Sequence, residues 1–281
     1  MIGGSELDPR YVAARGVLLD ALTSLAPHGK AVIVVGAQAV YLRTGGGDVA
    51  ITIAPYTTDG DLAIDPTLLD DEPGLEESMA HAGFQLDSPG IWHAVRRVGD
   101  DDVVIPVDLI VPEGASTGQG RRGARLGPHG NRAARRAIGL EGALVDHSTM
   151  TISALNTADE RTITVEVAGS AALIVAKAPK ISDRVNTGKV DRLSDKDAAD
   201  VYRIMQSTRA PDVAATLREL LDQPLSSAVT AQALEHVRKL FGRRTGQGVR
   251  MAQQALRLAV DEEEVSTLAV AYTDQLLEAA R

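Results

Sequence analysis

The chain contains no cysteine. That excludes disulfides and thiolate metal sites, and it lends no support to an oxidising, secreted setting. Aromatic residues are scarce too, with one tryptophan, two phenylalanines and five tyrosines in 281 residues. So few rings leave little means of gripping single-stranded nucleic acid by base stacking. No apolar run approaches the roughly 20 residues a bilayer span needs. The opening residues Met1-Ile2-Gly3-Gly4-Ser5-Glu6 lack a basic start followed by an apolar stretch. The expectation is a cytoplasmic protein with no membrane partner. A net charge of −9 argues against a uniformly basic nucleic-acid binder, though it permits a local basic patch. The six histidines show no H-x-x-x-H spacing, and no serine stands in a G-x-S-x-G context, so acyl-transfer chemistry has no support.

What is present is ordinary for a globular protein: 44% hydrophobic and 24% charged residues, over a length that suits two domains or one large one. Pro9 to Leu25 has Val12, Leu18, Leu19 and Leu22 at roughly helical spacing. Ala31–Val35 reads as a buried strand ending in a turn at Gly36, and Gln38–Arg43 as a helix stopped by Thr44-Gly45-Gly46-Gly47. Strand character follows at Val49–Ala54 and around Asp61. Pro66–Gly83 reads as helical despite Pro73-Gly74, and strands recur at Ile91–Val98, Val103–Val111, Met150–Leu155 and Thr162–Val167. Gly114 to Gly130 reads as a loop. From Ala171 the pattern turns helical, with segments Ala171–Lys177, Lys196–Met205, Val213–Leu221, Thr230–Leu240, Gly248–Val260 and Glu263–Ala280. The expected organisation is a mixed α+β domain over residues 1–168 and a helical domain over 169–281.

The residues that carry chemistry begin with Thr57-Thr58-Asp59-Gly60-Asp61, two acids two apart before the apolar stretch Leu62-Ala63-Ile64. On a strand, residues i and i+2 project from one face with Cα atoms roughly 6.5–7 Å apart, so such carboxylates can converge on a divalent metal. Val107-Asp108-Leu109-Ile110 places a third acid in another apolar run. Read alone, Asp59-Gly60 is better explained as a hairpin turn. Lys177 closes an almost wholly apolar run, Ala171–Ala176, and could either be a site cation or bury only its stem. Asp197 and Asp200 lie three apart on one helix face, with Ser194 a candidate N-cap and Asp200 the more structural of the two acids.

A strand, a glycine turn, a helix, Asp-x-Asp and a later strand acid together resemble the nucleotidyltransferase superfamily. Within it, the chain is similar to the AbiEii/MenT-type nucleotidyltransferases, the toxin halves of bacterial toxin–antitoxin pairs. Ala171–Lys177 resembles that family's Lys-bearing helix, and Arg192–Tyr202 its Asp-x-x-Asp helix. The resemblance implies a nucleotidyltransferase-like mixed sheet flanked by helices, with Lys177 and Asp197 of the helical domain joining the site. Asp59, Asp61 and Asp108 would hold Mg²⁺ (or Mn²⁺), with Asp108 the acid best placed to take the acceptor hydroxyl's proton. Gly36, Ala37, Thr58 and Lys177 would bind the NTP. The implied reaction moves an NMP to an acceptor hydroxyl, an RNA (tRNA) 3′ end above all, and the implied protein partner is an antitoxin. Three departures stand out. The family turn usually carries Gly-Gly or Gly-Ser where this chain has Gly36-Ala37, so phosphate contact there falls to backbone amides. The interval from Gly36 to Asp59 is long, implying an inserted strand at Val49–Ala54. Pro179, two residues past Lys177, should kink or end its helix.

Arg121, Arg122, Arg125, Arg132, Arg135 and Arg136 crowd a stretch without acids. Arginine forks match phosphate, so Arg121, Arg122 and Arg125 are candidate RNA contacts. A solvated loop or an antitoxin-facing surface explains the cluster equally well, and Arg243, Arg244 and Arg250 form a weaker second group. Two other functions stay open: the same chemistry on a small molecule or protein, and a non-catalytic nucleotide- or partner-binding module.

Overall fold

The computed structural model of the protein describes residues 7–45, 56–116, 123–187 and 192–281. They form two units: 7–39, 56–116, 123–137 and 147–168 in the first, and 40–45, 138–146, 169–187 and 192–281 in the second. The division therefore differs from a single cut at 168, because the stretch from Val40 and Ile138–Asp146 group with the later helices.

The first unit opens with α1 (Pro9–Ser24). Asp8 caps it by accepting from the Arg10 N–H at 2.7 Å, and Pro9 needs no hydrogen-bond partner in a first turn. The sheet comprises β1 (Val32–Val35), β2 (Gly60–Ile64), β3 (Gln85–Ser88), β4 (Ile91–Val98), β5 (Asp101–Pro112), β6 (Arg135–Ala137), β7 (His147–Ser153) and β8 (Thr162–Ala168). Among the described residues the strand order is β3-β4-β5-β2-β1-β8-β7, with β6 added to β5. The pairs β2–β5, β1–β8 and β5–β6 are parallel and the rest antiparallel, so the sheet is mixed. Helix α2 (Gly36–Thr44) leaves β1 directly. The architecture is α+β, a mixed sheet with helices followed by a helical C-terminal region.

Several expected elements take a different form. Pro66–Gly83 is helical only over α3 (Leu75–His81). The Asp65 carboxylate accepts from the N–H and hydroxyl of Thr67 at 2.8 and 2.7 Å, an Asx turn that competes with helix there. Within the expected Gly114–Gly130 loop, Gly123 bridges Arg135, and residues Gly127–His129 make a 3₁₀ turn. His28 and His129 are core residues that hold the entry to α3. His129 Nδ1 accepts from the Leu75 N–H at 3.2 Å while Nε2 donates to the Asp70 carbonyl at 2.9 Å, and His28 packs edge-on against the ring. Phe84 and Trp92 are buried in the core. The candidate strand Val49–Ala54 lies outside the described residues.

The second unit holds α4 (Ser170–Thr187), α5 (Arg192–Ser207), α6 (Ala210–Asp222), α7 (Ser227–Phe241), α8 (Gln247–Leu256) and α9 (Glu262–Ala279). Helix α5 packs on α8, α4 on α7 and α6 on α9, around fully buried Tyr202 and Phe241. A Cβ at Gly248 would stand 2.8 Å from the Phe241 ring, so the close approach of α7 and α8 requires glycine. Helix α4 runs through Pro179 rather than ending there; the residue forfeits one i→i−4 bond, and the buried apolar face to either side keeps the helix intact. Helix α5 begins at Arg192, two residues before the expected cap Ser194. No described helix is long and apolar enough to cross a membrane.

Candidate active site

Strand alternation sorts β2 and β5 into two faces. Gly60, Leu62, Val107 and Leu109 share the face covered by α1, where a Cβ on Gly60 would meet the Leu18 side chain at 3.4 Å. Asp61 and Asp108 project from the other face. They are register partners in the parallel β2–β5 pair, so their Cα atoms lie about one strand spacing apart, roughly 4.8 Å. Asp59-Gly60 forms no hairpin turn: Gly60 is the first residue of β2 and leads straight into it.

Gly36 is fitted to Asp61. Val35 is the register partner of Asp61 across β1–β2, and the chain turns at Gly36 with φ +68 to start α2. A Cβ there would stand 2.0 Å from Asp61 Oδ2 and 2.8 Å from its carboxyl carbon. Only glycine combines that left-handed backbone with the space the carboxylate occupies. Ala37 follows, buried in the first turn of α2.

Asp59 precedes β2 by one residue. The buried Thr57 hydroxyl donates to its Oδ1, and Gln38 Nε2 on α2 donates to its carbonyl at 3.4 Å. Gln38 is itself oriented by Arg15, a buried arginine of α1 whose Nε donates to Gln38 Oε1 at 3.0 Å and whose Nη2 donates to Tyr11 at 3.2 Å. Burial holds the Arg15 guanidinium below its usual range, with Tyr11 opposing the shift. Thr58 sits half-buried in the bend between Thr57 and Asp59.

The three aspartates expected to meet are not all gathered. Among the described residues no three His, Asp or Glu side chains stand close enough to share one ion. Asp61 and Asp108 are neighbours, and Asp108 faces a cation of the protein's own: Arg135 donates Nε and Nη2 to its Oδ2 at 3.0 and 2.6 Å. Both side chains remain partly open, 20% exposed for Asp108 and 28% for Arg135. The guanidinium thus already occupies Oδ2, one of the two oxygens that an acceptor hydroxyl or a metal would meet at Asp108. Two adjacent carboxylates still fit a hard divalent ion, because Mg²⁺ commonly binds through one or two carboxylates plus substrate phosphates.

Lys177 and Asp197 meet in the second unit. The Lys177 amine donates to Asp197 Oδ1 at 2.8 Å and to Asp200 Oδ2 at 2.7 Å, with its side chain 6% exposed. Arg184 donates to Asp197 Oδ2 at 2.5 Å. Burial alone would lower the lysine and raise the aspartate. The opposed charges win: Lys177 is held above its usual range and Asp197 is pushed down to about 2, chiefly by Lys177. Two cations balance two anions, so the charge of Lys177 is already compensated within its own helix pair.

Of the arginine cluster, Arg121 and Arg122 lie outside the described residues. Arg125 is exposed and lines a cavity of about 270 Å³ with Pro66, Asp71 and His129. Arg136 pairs with Glu113 at 2.5 Å. The sequence reading missed a further polar pair, His147 Nδ1 at 2.8 Å from Glu166 Oε2, with the Thr149 hydroxyl donating to Glu166 Oε1 at 2.5 Å. Their signal was the alternation His147-x-Thr149 on an edge strand. By register they share the face of Asp61 but stand beyond the buried Val35 and Ala168. Searches of protein-family models and of curated proteins find nothing that matches this chain.

Proposed function

We propose that the protein is a metal-dependent nucleotidyltransferase that moves an NMP from an NTP to an acceptor hydroxyl and releases pyrophosphate. The observation that carries this reading is the side-by-side placement of Asp61 and Asp108 on one sheet face, with Gly36 cleared away for the Asp61 carboxylate. Two such carboxylates would hold Mg²⁺ (or Mn²⁺) together with the substrate phosphates; Asp59, on the segment entering β2, is not gathered onto that ion with them. When bound, the metal supplies charge neutralisation at the triphosphate and a more acidic acceptor hydroxyl. The chain's own residues then do the positioning that dominates phosphoryl-transfer catalysis. Thr57 and Gln38 fix Asp59, Gly36 lets Asp61 lie against the start of α2, and the backbone amides of that helix, at Ala37, are donors for phosphate.

The acceptor and the setting rest on the family resemblance. It supports an RNA 3′ end, tRNA above all, a toxin role in the cytoplasm, and an antitoxin as partner. Lys177 and Asp197 belong to the reading on the same ground.

The test is incubation with total RNA, each labelled NTP and Mg²⁺. Label should enter RNA in at least one lane, vanish with EDTA, and fall at least about 100-fold in Asp61→Ala, as expected when a group that positions reactants is lost. Unchanged labelling in Asp59→Ala and Asp61→Ala alike would end the enzymatic reading. Label on added protein instead of RNA would replace the acceptor and keep the chemistry.

A further inference from the structure

Two carboxylates one strand apart repel each other unless a cation sits with them. Among the described residues the cation paired with Asp108 is Arg135, and the fold goes to some length to place it. Strand β6 is three residues long and lies parallel to β5, with Arg135 beside Ile110. Ile110 projects from the same face as Asp108, two residues earlier, which is why the Arg135 side chain reaches back to that carboxylate. Two glycines admit the strand. A Cβ on Gly90, at φ +74, would stand 2.1 Å from the Arg135 nitrogen, and one on Gly123 would stand 1.9 Å from the Asn131 carbonyl oxygen. The Gly90 N–H donates to the Arg132 carbonyl and its carbonyl accepts from the Leu109 N–H, both at 2.8 Å, so one glycine ties the arginine segment to β5. Trp92 adds a bond from Nε1 to the Ala133 carbonyl at 2.9 Å.

The guanidinium places Nε and Nη2 on one oxygen, Asp108 Oδ2, and among the described residues Nη1 donates to no protein acceptor. A fork with a spare donor, partly open to solvent and next to paired carboxylates, is the geometry that recognises phosphate.

We propose that Arg135 is the exchangeable counter-cation of Asp108 and a phosphate ligand for the incoming nucleotide. It neutralises Asp108 while the site is empty and turns onto the triphosphate when a divalent cation takes over the carboxylates. The inference rests on the nucleotidyltransferase reading. It makes a signature that a merely structural salt bridge does not: removing the charge at 135 should strengthen cation binding and weaken nucleotide binding.

The experiment uses the full chain. Mn²⁺ binding without nucleotide is followed by electron paramagnetic resonance, and binding of a non-hydrolysable NTP analogue by calorimetry at fixed Mg²⁺. Arg135→Gln should bind Mn²⁺ about threefold more tightly, because a competing charge is gone, and the analogue about tenfold more weakly, because a charge-assisted contact is lost. A third arm titrates a short RNA without nucleotide; a loss confined to that arm would make Arg135 an RNA contact and overturn the proposal. Shifts of the same sign, or none, would overturn it as well. If the glutamine variant does not fold, Arg135→Lys decides. Lysine keeps the charge without the fork, so it should leave Mn²⁺ binding unchanged and still weaken the analogue, and an unweakened analogue overturns the proposal. Wild-type protein that binds neither Mn²⁺ nor the analogue would defeat the enzymatic reading itself, whereas wild-type binding that Arg135→Gln reproduces defeats only this inference.

Discussion

Gly36 joins two demands at one position: a backbone at φ +68 and room for the Asp61 carboxylate. Replacing it with alanine should cost about 1–2 kcal/mol from the left-handed conformation alone. Displacement of Asp61 should also reduce nucleotide transfer about 100-fold, since small misplacements of reacting groups are that costly. Thermal melts and labelled-NTP assays on Gly36→Ala check both. Lys177 is a different kind of residue, because its amine serves two carboxylates in a nearly closed space. Lys177→Met should therefore lose about 3–5 kcal/mol of stability by stranding buried charge. Adding Asp200→Asn to that variant should restore part of the loss. A denaturant melt in which the single variant falls by less than 1 kcal/mol, on the scale expected of exposed pairs, would show that the cluster is not the buried unit described.

At the scale of elements, the start of α4 is held from outside the helix. Asp146 accepts from the Ala172 N–H at 2.8 Å, and Gly169 leaves space for its carboxylate, which a Cβ would approach to 1.9 Å. Asp146→Ala should cost about 1–2 kcal/mol, the usual worth of an N-terminal cap, and should speed amide exchange in the first turn of α4. Unchanged exchange there would mean that other donors already satisfy that turn. This cap could not be read from the sequence, because Asp146 stands more than twenty residues before the amide it serves. Strands with a clear apolar pattern were legible: β4 occupies the expected Ile91–Val98, and β1, β5 and β8 fall within a few residues of expectation. The short, polar β3 and β6 carry no such pattern; Gln85-Leu86-Asp87-Ser88 and Arg135-Arg136-Ala137 are strands only because β4 and β5 offer them an edge. The site divided in the same way. Residue type and spacing picked out Asp59, Asp61 and Asp108, but only the β2–β5 register makes two of them neighbours. Arg135 was visible as one of six clustered arginines, while its pairing with Asp108 depends on the passage that Gly90 and Gly123 open.

For the whole molecule, the ion cluster of α4 and α5 sets a dependence on acid. Asp197 is pushed down to about 2 in the fold, below its ordinary 3.8, so its contribution is complete above about pH 4 and is lost as pH falls towards 2. Lys177 is shifted upward, so its contribution is complete below its ordinary value of 10.5 and is lost only on the alkaline side of that value. Across neutral pH Lys177 and Asp197 are both charged. The Asp197→Asn variant should therefore show a flatter stability curve than wild type between about pH 4 and 2, and the two should run parallel from pH 6 to 8. Equal slopes in the acid limb would show that Asp197 is not the group that titrates.

The order in which the two units take up the chain constrains how the protein can be dissected. Ile138–Asp146 is inserted between strands of the sheet unit, yet its Gly142 lies against Ala172 and Leu220, and its Asp146 caps α4. An excision at residue 169 would strip the helices of that strap and leave a hydrophobic seam exposed to neighbouring copies. The stretch from Val40 has the same standing. Neither half is a contiguous cassette, so a fusion, split reporter or isolated fragment designed around one cut point will inherit an incomplete fold. A workable design would restore 138–146 to the helices through an added linker.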